Sequence, residues 1–400
     1  MKQYFAKILL IFAVIPATAN VLSAQESKPQ TIPPPFTSSA ETYSGISGLG
    51  SKIIGDGSGG WRSGAEGVYY QGANPKKGWL LNFGDFASGS AIKTGITPPI
   101  KPLLELHLRD TIIRLGGDGN YYLTGSSGDN IWDRNNGVEL WKSKDLKSWD
   151  YLGLVWSIER DGTWEKEWRI LHKKLTRNVW APEIHYIKKN YYITLSMAPG
   201  GIAILKSTSG KPEGPYIHAF SPEKSVANGI DATLFEDDDG KVYFTYGSAT
   251  RITRLKADMS GFAEEPRQIK LEEPDHDPKH HAAKCIGRGS NDIGHEGAVL
   301  FKANGKYYLG AVDDWEGRYS SILTISDNIY GPYKSRHEAV PTGGGTNYFK
   351  DKNGNWWCAL FGNDSQSNWR EKPAIVQVDF AKDGKVSIAK KQAKWNLYNK

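Results

Sequence analysis

A short hairpin recurs five times along this chain, and it restricts the possible folds more than any other feature. Each copy joins a Gly- or Lys-rich turn to a mostly aromatic pair and an alternating strand. The copies are GDGNYYLTGSS (Tyr121, Tyr122), KKNYYITLS (Tyr191, Tyr192), DDGKVYFTYGS (Val242, Tyr243), ANGKYYLGAV (Tyr307, Tyr308) and KNGNWWCALFG (Trp356, Trp357). An apolar strand precedes each one (DTIIRLG, PEIHYI, ATLFED, AVLFKA, TNYFKD), and in most units a third strand follows, such as GIAILKSTS or AIVQVDF. A period-2 strand beside a D-G or N-G turn is a hairpin, because that turn matches the strands' twist. Such a unit buries its faces only by stacking on its neighbours. Five copies at roughly 50–70 residue spacing predict an all-β chain folded as a five-bladed β-propeller. A β-sandwich does not account for five copies of one hairpin.

The propeller is expected over residues 101–400. Residues 1–24 read as a signal peptide: Lys2 and Lys7, an apolar run from Ile8 to Val14, then small residues around Ala17–Ala19 and Ser23–Ala24. No cysteine stands near that cleavage zone, so a soluble, exported protein is expected, periplasmic or secreted, with no membrane partner. Residues 25–100 read as a Pro/Ser-rich leader and an extension packing on the propeller, with GVYYQGANPKKGWLLNFG as one more candidate hairpin. In TWEKEWRILHKKL, 163–175, the spacing of Trp164, Trp168, Leu171 and Leu175 predicts a short amphipathic helix. A net charge of +6, of which two lysines leave with residues 1–24, does not mark a nucleic-acid binder. Cys358, in NWWCALFG, reads as a buried thiol rather than half of a disulfide with Cys285. The 14 Trp and 20 Tyr suit strands, and also a sugar-binding surface.

Counting back from the aromatic pair brings three acids to the start of the inner strand. Asp110 lies 11 residues before Tyr121, Asp231 lies 12 before Tyr243, and Glu296 lies 11 before Tyr307. Inner strands of a propeller run the same way along the channel, so these carboxylates should meet at one mouth. The matching slots of the other two units hold Trp180, a candidate aromatic wall, and Gly344-Gly345, which should leave room for a ligand. Glycoside hydrolysis uses such a set: one carboxyl protonates the leaving oxygen, another activates water or attacks the sugar, and a third can raise the donor's pKa. A Ca²⁺ or Mg²⁺ site is the other use of clustered oxygens.

The segments HLRDTIIRL, NVWAPEIHYIKKNYYI, GIDATLFEDDDGKVYFTYG and GHEGAVLFKANGKYYLGAV, with GPY at 214–216 and 331–333, resemble glycoside hydrolase family 43 and its relative family 117. The resemblance covers roughly residues 105–385. It implies an inverting, exo-acting hydrolase that releases a terminal sugar from plant or algal oligosaccharides, arabinofuranosidase-, xylosidase- or galactosidase-like. In its pattern Asp110 is the general base, Asp231 tunes the acid and orients substrate, and Glu296 is the general acid. The His295-Glu296 pair is similar to family 117, which implies the alternative of an anhydro-galactosidase on agaro-oligosaccharides, with His295 also catalytic. No cofactor is implied for the chemistry; a structural divalent cation, Ca²⁺ or Mg²⁺, is possible in the central channel. Where family 43 carries Pro after the first Asp this chain has Thr111. Where it carries a His near that cation this chain has Asn347.

Arg109, Arg288, Glu183 and Asn347 join Trp180 as candidate substrate contacts, Glu183 equally as a salt-bridge partner. His276, His280, His281 and Cys285 read as a loop on the pocket rim rather than a metal site, EDDDG (236–240) as a hairpin turn, and Trp369-Arg370 as packing and an ion pair. A carbohydrate-binding propeller without catalysis remains the competing class, which would not need the acid pair. No Trp-Met-Asn-Asp-like stretch in the first unit suggests a retaining fructan-cleaving propeller.

Overall fold

The computed structural model describes residues 97–128, 135–171, 174–249, 251–273, 293–362 and 371–398, together with backbone strands Gly60–Gly64, Gly67–Gln71 and Leu80–Leu81. Those three early strands form one sheet, in which Val68 pairs with Leu81 and Tyr69 with Leu80, within the stretch expected to form a hairpin. The expected signal peptide and Pro/Ser-rich leader, Arg288, the His276–Cys285 cluster and Trp369-Arg370 lie outside the described residues.

Five four-stranded antiparallel sheets, each ordered as in the chain, follow one another. Their inner strands are Arg109–Leu115, Val179–Ile187, Thr233–Glu236, Glu296–Ala303 and Gly344–Lys350, in blades 1 to 5. The inner strand of each blade packs on that of the next, and blade 5 on blade 1, so the ring is closed. Five apolar clusters lie between successive blades: 1 with 2, 2 with 3, 3 with 4, 4 with 5 and 5 with 1.

The recurring aromatic pair is explained by this stacking. Successive strand residues point to opposite faces, so the two rings serve two neighbours. Tyr121 meets Phe349 of blade 5 at 6.3 Å, and Tyr122 meets Tyr191 of blade 2 at 5.7 Å. Tyr307 meets Phe235 of blade 3 at 6.3 Å, whereas Tyr308 meets Phe380 of blade 5 at 5.5 Å. Such contacts add about 0.5–1.5 kcal/mol each beyond the area they bury.

Blade 5 takes its four strands from the C-terminal part of the chain, and among the described residues no early strand joins its sheet. Ring closure instead uses Ile100 bridging Leu397, Lys101 N–H donating to Asn396 O at 2.8 Å, and Asn347. The Asn347 amide is buried; its Oδ1 accepts from Ile113 N at 2.8 Å and its Nδ2 donates to Ile113 O at 2.9 Å. Both ends of the amide are therefore committed to blade 1. This corrects the expectation that Asn347 contacts substrate.

The predicted helix at 163–175 is also corrected. A single turn at Trp164–Lys166 is followed by a hairpin, Arg169–Leu171 against Lys174–Thr176. The four spaced residues are not buried together: Trp164 is buried, whereas Trp168, Leu171 and Leu175 are only half-buried. Buried Glu165 holds His218 of blade 2 at 2.8 Å, and Arg177 covers the Trp168 ring at 4.5 Å, which fixes the turn and the hairpin base. The EDDDG turn is a hairpin turn, and Cys358 is a buried free thiol, as expected.

Candidate active site

Four of the five inner strands open with the same irregularity. Pairing with the second strand skips between Arg109 and Ile112, Trp180 and Glu183, Glu296 and Val299, and Gly344 and Asn347. The second residue of each bulge is left-handed: φ is 54° at Asp110, 43° at Ala181, 71° at Gly297 and 51° at Gly345. Asp231, at φ 56°, holds the same place two residues before the first paired residue of blade 3, Thr233. A bulge redirects side chains at a strand end, and here it turns them into the channel mouth. Asp110 and Asp231 are thus structurally equivalent, while Glu296 stands one residue earlier, in the slot of Arg109, Trp180 and Gly344. The acids converge as expected, but from two adjacent registers rather than one.

Arg109, Asp110, Ser126, Trp180, Ile230, Asp231 and Glu296 line one cavity of about 160 Å³ at this mouth. Each acid is held by a neighbouring blade or a crossing strand. Ser126 Oγ donates to Asp110 Oδ2 at 2.5 Å and accepts from Ala181 N at 2.7 Å, tying the first acid to blade 2. Asp231 N donates to Ser196 Oγ of blade 2, and its Oδ2 accepts from Gly297 N of blade 4, both at 2.9 Å. Tyr319 OH donates to Glu296 Oε1 at 2.7 Å, and the His295 ring lies 3.5 Å from the same oxygen.

The electrostatics separate these groups. Burial, with the charges of Glu296 and Asp110, pushes the Asp231 carboxyl well above its ordinary range. Burial also raises Asp110, against the pull of Arg109 and of the Ser126 hydroxyl. For Glu296, burial acts upward but is outweighed by His295, Tyr319 and Arg109, which bring it down to about 2. His295 is the reverse case: burial lowers it, while Asp313 and Glu296 raise it to about 9.

Besides Ser126 and Ile230 of the cavity wall, three further residues that sequence reasoning missed complete the site. Tyr319 comes from the third strand of blade 4. A Cβ on Gly344 would lie 1.8 Å from its ring, and one on Gly345 would lie 2.7 Å from Asp110 Oδ1. The two glycines therefore make room for Tyr319 and Asp110, not for a ligand as expected. Glu371 sits behind Arg109: its Oε2 is 3.8 Å from Arg109 Nε and 2.9 Å from His107 Nε2. Arg109 is held there against the Phe361 ring, 4.6 Å away, facing the acids. Asp313 is the third. No local pattern marks any of them; only the register of neighbouring strands could have suggested Asp313, beside Val312, which pairs with Glu296.

Glu183 takes the salt-bridge role. It is buried, 3.8 Å from Arg114 and 3.4 Å from His185, and burial raises it to about 7. Arg114 and His185 line a second cavity of about 390 Å³ among the far ends of the inner strands. The channel residues do not fit a divalent cation held by protein groups. Among the described residues no group of three His, Cys, Asp or Glu could hold a metal, Asn347 is fully used, and a guanidinium already faces Glu183.

The family model for glycosyl hydrolases family 43 matches residues 100–386. The chain belongs to that family. Relatives include a putative beta-xylosidase of Xylanibacter ruminicola, 24% identical over 67% of this chain and 52% of its own length. A xylosidase/arabinosidase of Butyrivibrio fibrisolvens is 30% identical over 52% of this chain and 37% of its own length. The family 43 chain thus spans about half, or less, of these curated relatives. Among solved structures, an endo-1,4-beta-xylanase from Bacteroides thetaiotaomicron is 22% identical with a TM-score of 0.54, covering 74% of this chain and 98% of that one. A GH43_1 enzyme from Xanthomonas citri complexed with xylotriose is 19% identical with a TM-score of 0.55, covering 76% and 96%. These likenesses establish the propeller fold. No helix among the described residues is long and apolar enough to cross a membrane.

Proposed function

We propose that this family 43 member is an exported, inverting, exo-acting glycosidase that removes a terminal sugar, xylose- or arabinose-like as in the names of its relatives. The observation that carries the reading is the convergence of Asp110, Asp231 and Glu296 with Trp180 and Arg109 on one small cavity. Asp110 takes the proton of a water that attacks the anomeric carbon. Glu296 protonates the leaving oxygen as the glycosidic bond breaks. Asp231, bonded to the Gly297 amide beside Glu296, orients the sugar and sets the field at the donor. Trp180 offers a flat apolar wall, and Arg109 a fixed donor for hydroxyls.

The test is a screen of the purified protein on arabino-, xylo-, galacto- and agaro-oligosaccharides, with the released anomer followed by NMR. Inversion is expected, and Glu296→Gln and Asp110→Asn should each lower kcat/KM by about 10²–10⁴-fold on oligosaccharides. Retention of configuration, or full activity in Glu296→Gln, overturns the reading. Cleavage of agaro-oligosaccharides alone would assign the family 117-like specificity, and binding without turnover the non-catalytic class.

A further inference from the structure

A proton donor must carry a proton, yet His295, Tyr319 and Arg109 favour the charged carboxylate of Glu296, and the strand register beside it points to where the proton waits. His295 N–H donates to Val312 O at 2.9 Å, so the imidazole lies against the next residue of that strand, Asp313. The ring sits between two carboxylates: Nε2 is 3.5 Å from Glu296 Oε1, and Nδ1 is 3.6 Å from Asp313 Oδ1. Asp313 is fully buried and is paired with Arg336, which donates from Nη2 to Asp313 Oδ2 and from Nε to Ile293 O at 2.8 Å. Arg336 is itself held over the Trp315 ring, 5.0 Å from its centre. Four segments of blade 4 thus fix the ring: its own, the Asp313 strand, the Arg336 strand and the Tyr319 strand, whose ring is 6.0 Å away. The groups facing Glu296 itself are His295, Tyr319 and Arg109, with Asp110 and Asp231 across the cavity.

We propose that Asp313 is a positioning residue that keeps His295 as an imidazolium against Glu296, so that the proton delivered to the leaving group is stored on the His295–Glu296 pair rather than on the carboxyl alone. An imidazole with a carboxylate near each nitrogen is favoured in its charged form, because both neighbours are anionic. Entry of a sugar displaces water, which favours the neutral imidazole and carboxylic acid over the ion pair. The proton passes from His295 Nε2 to Glu296 and from Glu296 to the glycosidic oxygen. The C1–O bond breaks, its electron pair staying on that oxygen, while the attacking water bonds to C1 and gives its proton to Asp110. Solvent then takes the proton from Asp110 and returns one to His295, so the cycle balances as hydrolysis.

This inference rests on Glu296 being the donor, and kinetics separate the two. The basic limb of kcat/KM is expected near pH 9, the value of His295. His295→Gln should move that limb down by more than one pH unit and slow oligosaccharides about 10²-fold. It should slow a 2,4-dinitrophenyl glycoside, whose leaving group needs no proton, much less than it slows oligosaccharides. Asp313→Asn should move the limb the same way by less; a merely structural loss would slow both substrates alike and leave the limb in place. ¹⁵N NMR of the wild-type protein, with His295→Gln identifying the signal, reads the proposal even if Asp313→Asn does not fold. Both ring nitrogens of His295 are expected to be protonated at pH 7, and a neutral ring there overturns the proposal. Full activity in Glu296→Gln overturns the functional reading beneath it. An inactive Glu296→Gln, with the limb unmoved in His295→Gln and Asp313→Asn, overturns only the proton store.

Discussion

Asp110 and Asp231 hold left-handed backbone at φ 54° and 56°, a conformation that costs a non-glycine residue about 1–2 kcal/mol. Asp tolerates it better than most residues, and here the carboxylates gain Ser126 and the Gly297 amide as partners. The strain aims both acids into the mouth. His295 lends itself to a measurement at the same scale. Its value in the fold, about 9, is raised above the ordinary 6.5. A raised group adds stability that is complete below the unfolded value and lost as pH rises through the folded one. Unfolding free energy should therefore decline from 6.5 toward 9, and His295→Gln should flatten that stretch in urea titrations across the range. The acids and His295 were legible as residues. Tyr319 and Glu371 were not, because a tyrosine in one strand and a glutamate in a connecting segment look like any others until the fold brings them to Glu296 and Arg109.

At the scale of elements, the hairpins were readable because their causes are local: a turn of the right hand and a strand of period 2. The insertion at 163–175 was misread for the complementary reason. Its apolar spacing suits a helix, but the contacts that decide it, Glu165 with His218 and Arg177 with Trp168, come from outside the segment. The bulge that opens four of the inner strands also escaped a count made from the turn, which places Glu296 level with Asp110 instead of one residue earlier. Ala181 occupies the bulge position of blade 2 with neither glycine's freedom nor an acid's partners. Ala181→Gly should relieve the left-handed strain, against glycine's greater loss of chain entropy. A rise of up to about 1 kcal/mol in unfolding free energy, seen as a higher urea midpoint at unchanged slope, is expected.

At the scale of the whole ring, blades 5 and 1 meet, among the described residues, without a shared strand. Asn347 does much of the joining by giving blade 1 both a donor and an acceptor at Ile113. Asn347→Ala leaves two buried backbone groups without partners, at roughly 1–3 kcal/mol each. Thermal unfolding should fall by several degrees, with the anomeric outcome of the reaction unchanged. What local pattern could decide about this protein was the blade count, the strand faces and the acids at the strand starts, since turn chemistry, period and residue type act over a few residues. Closure of the ring decided the rest. His107 meets Glu371 across 264 residues and Ile113 meets Asn347 across 234. The clamp on Arg109, the glycines that admit Tyr319 and the loss of Asn347 to the scaffold all depend on blades 1, 4 and 5 being brought side by side, which no stretch of the chain encodes alone.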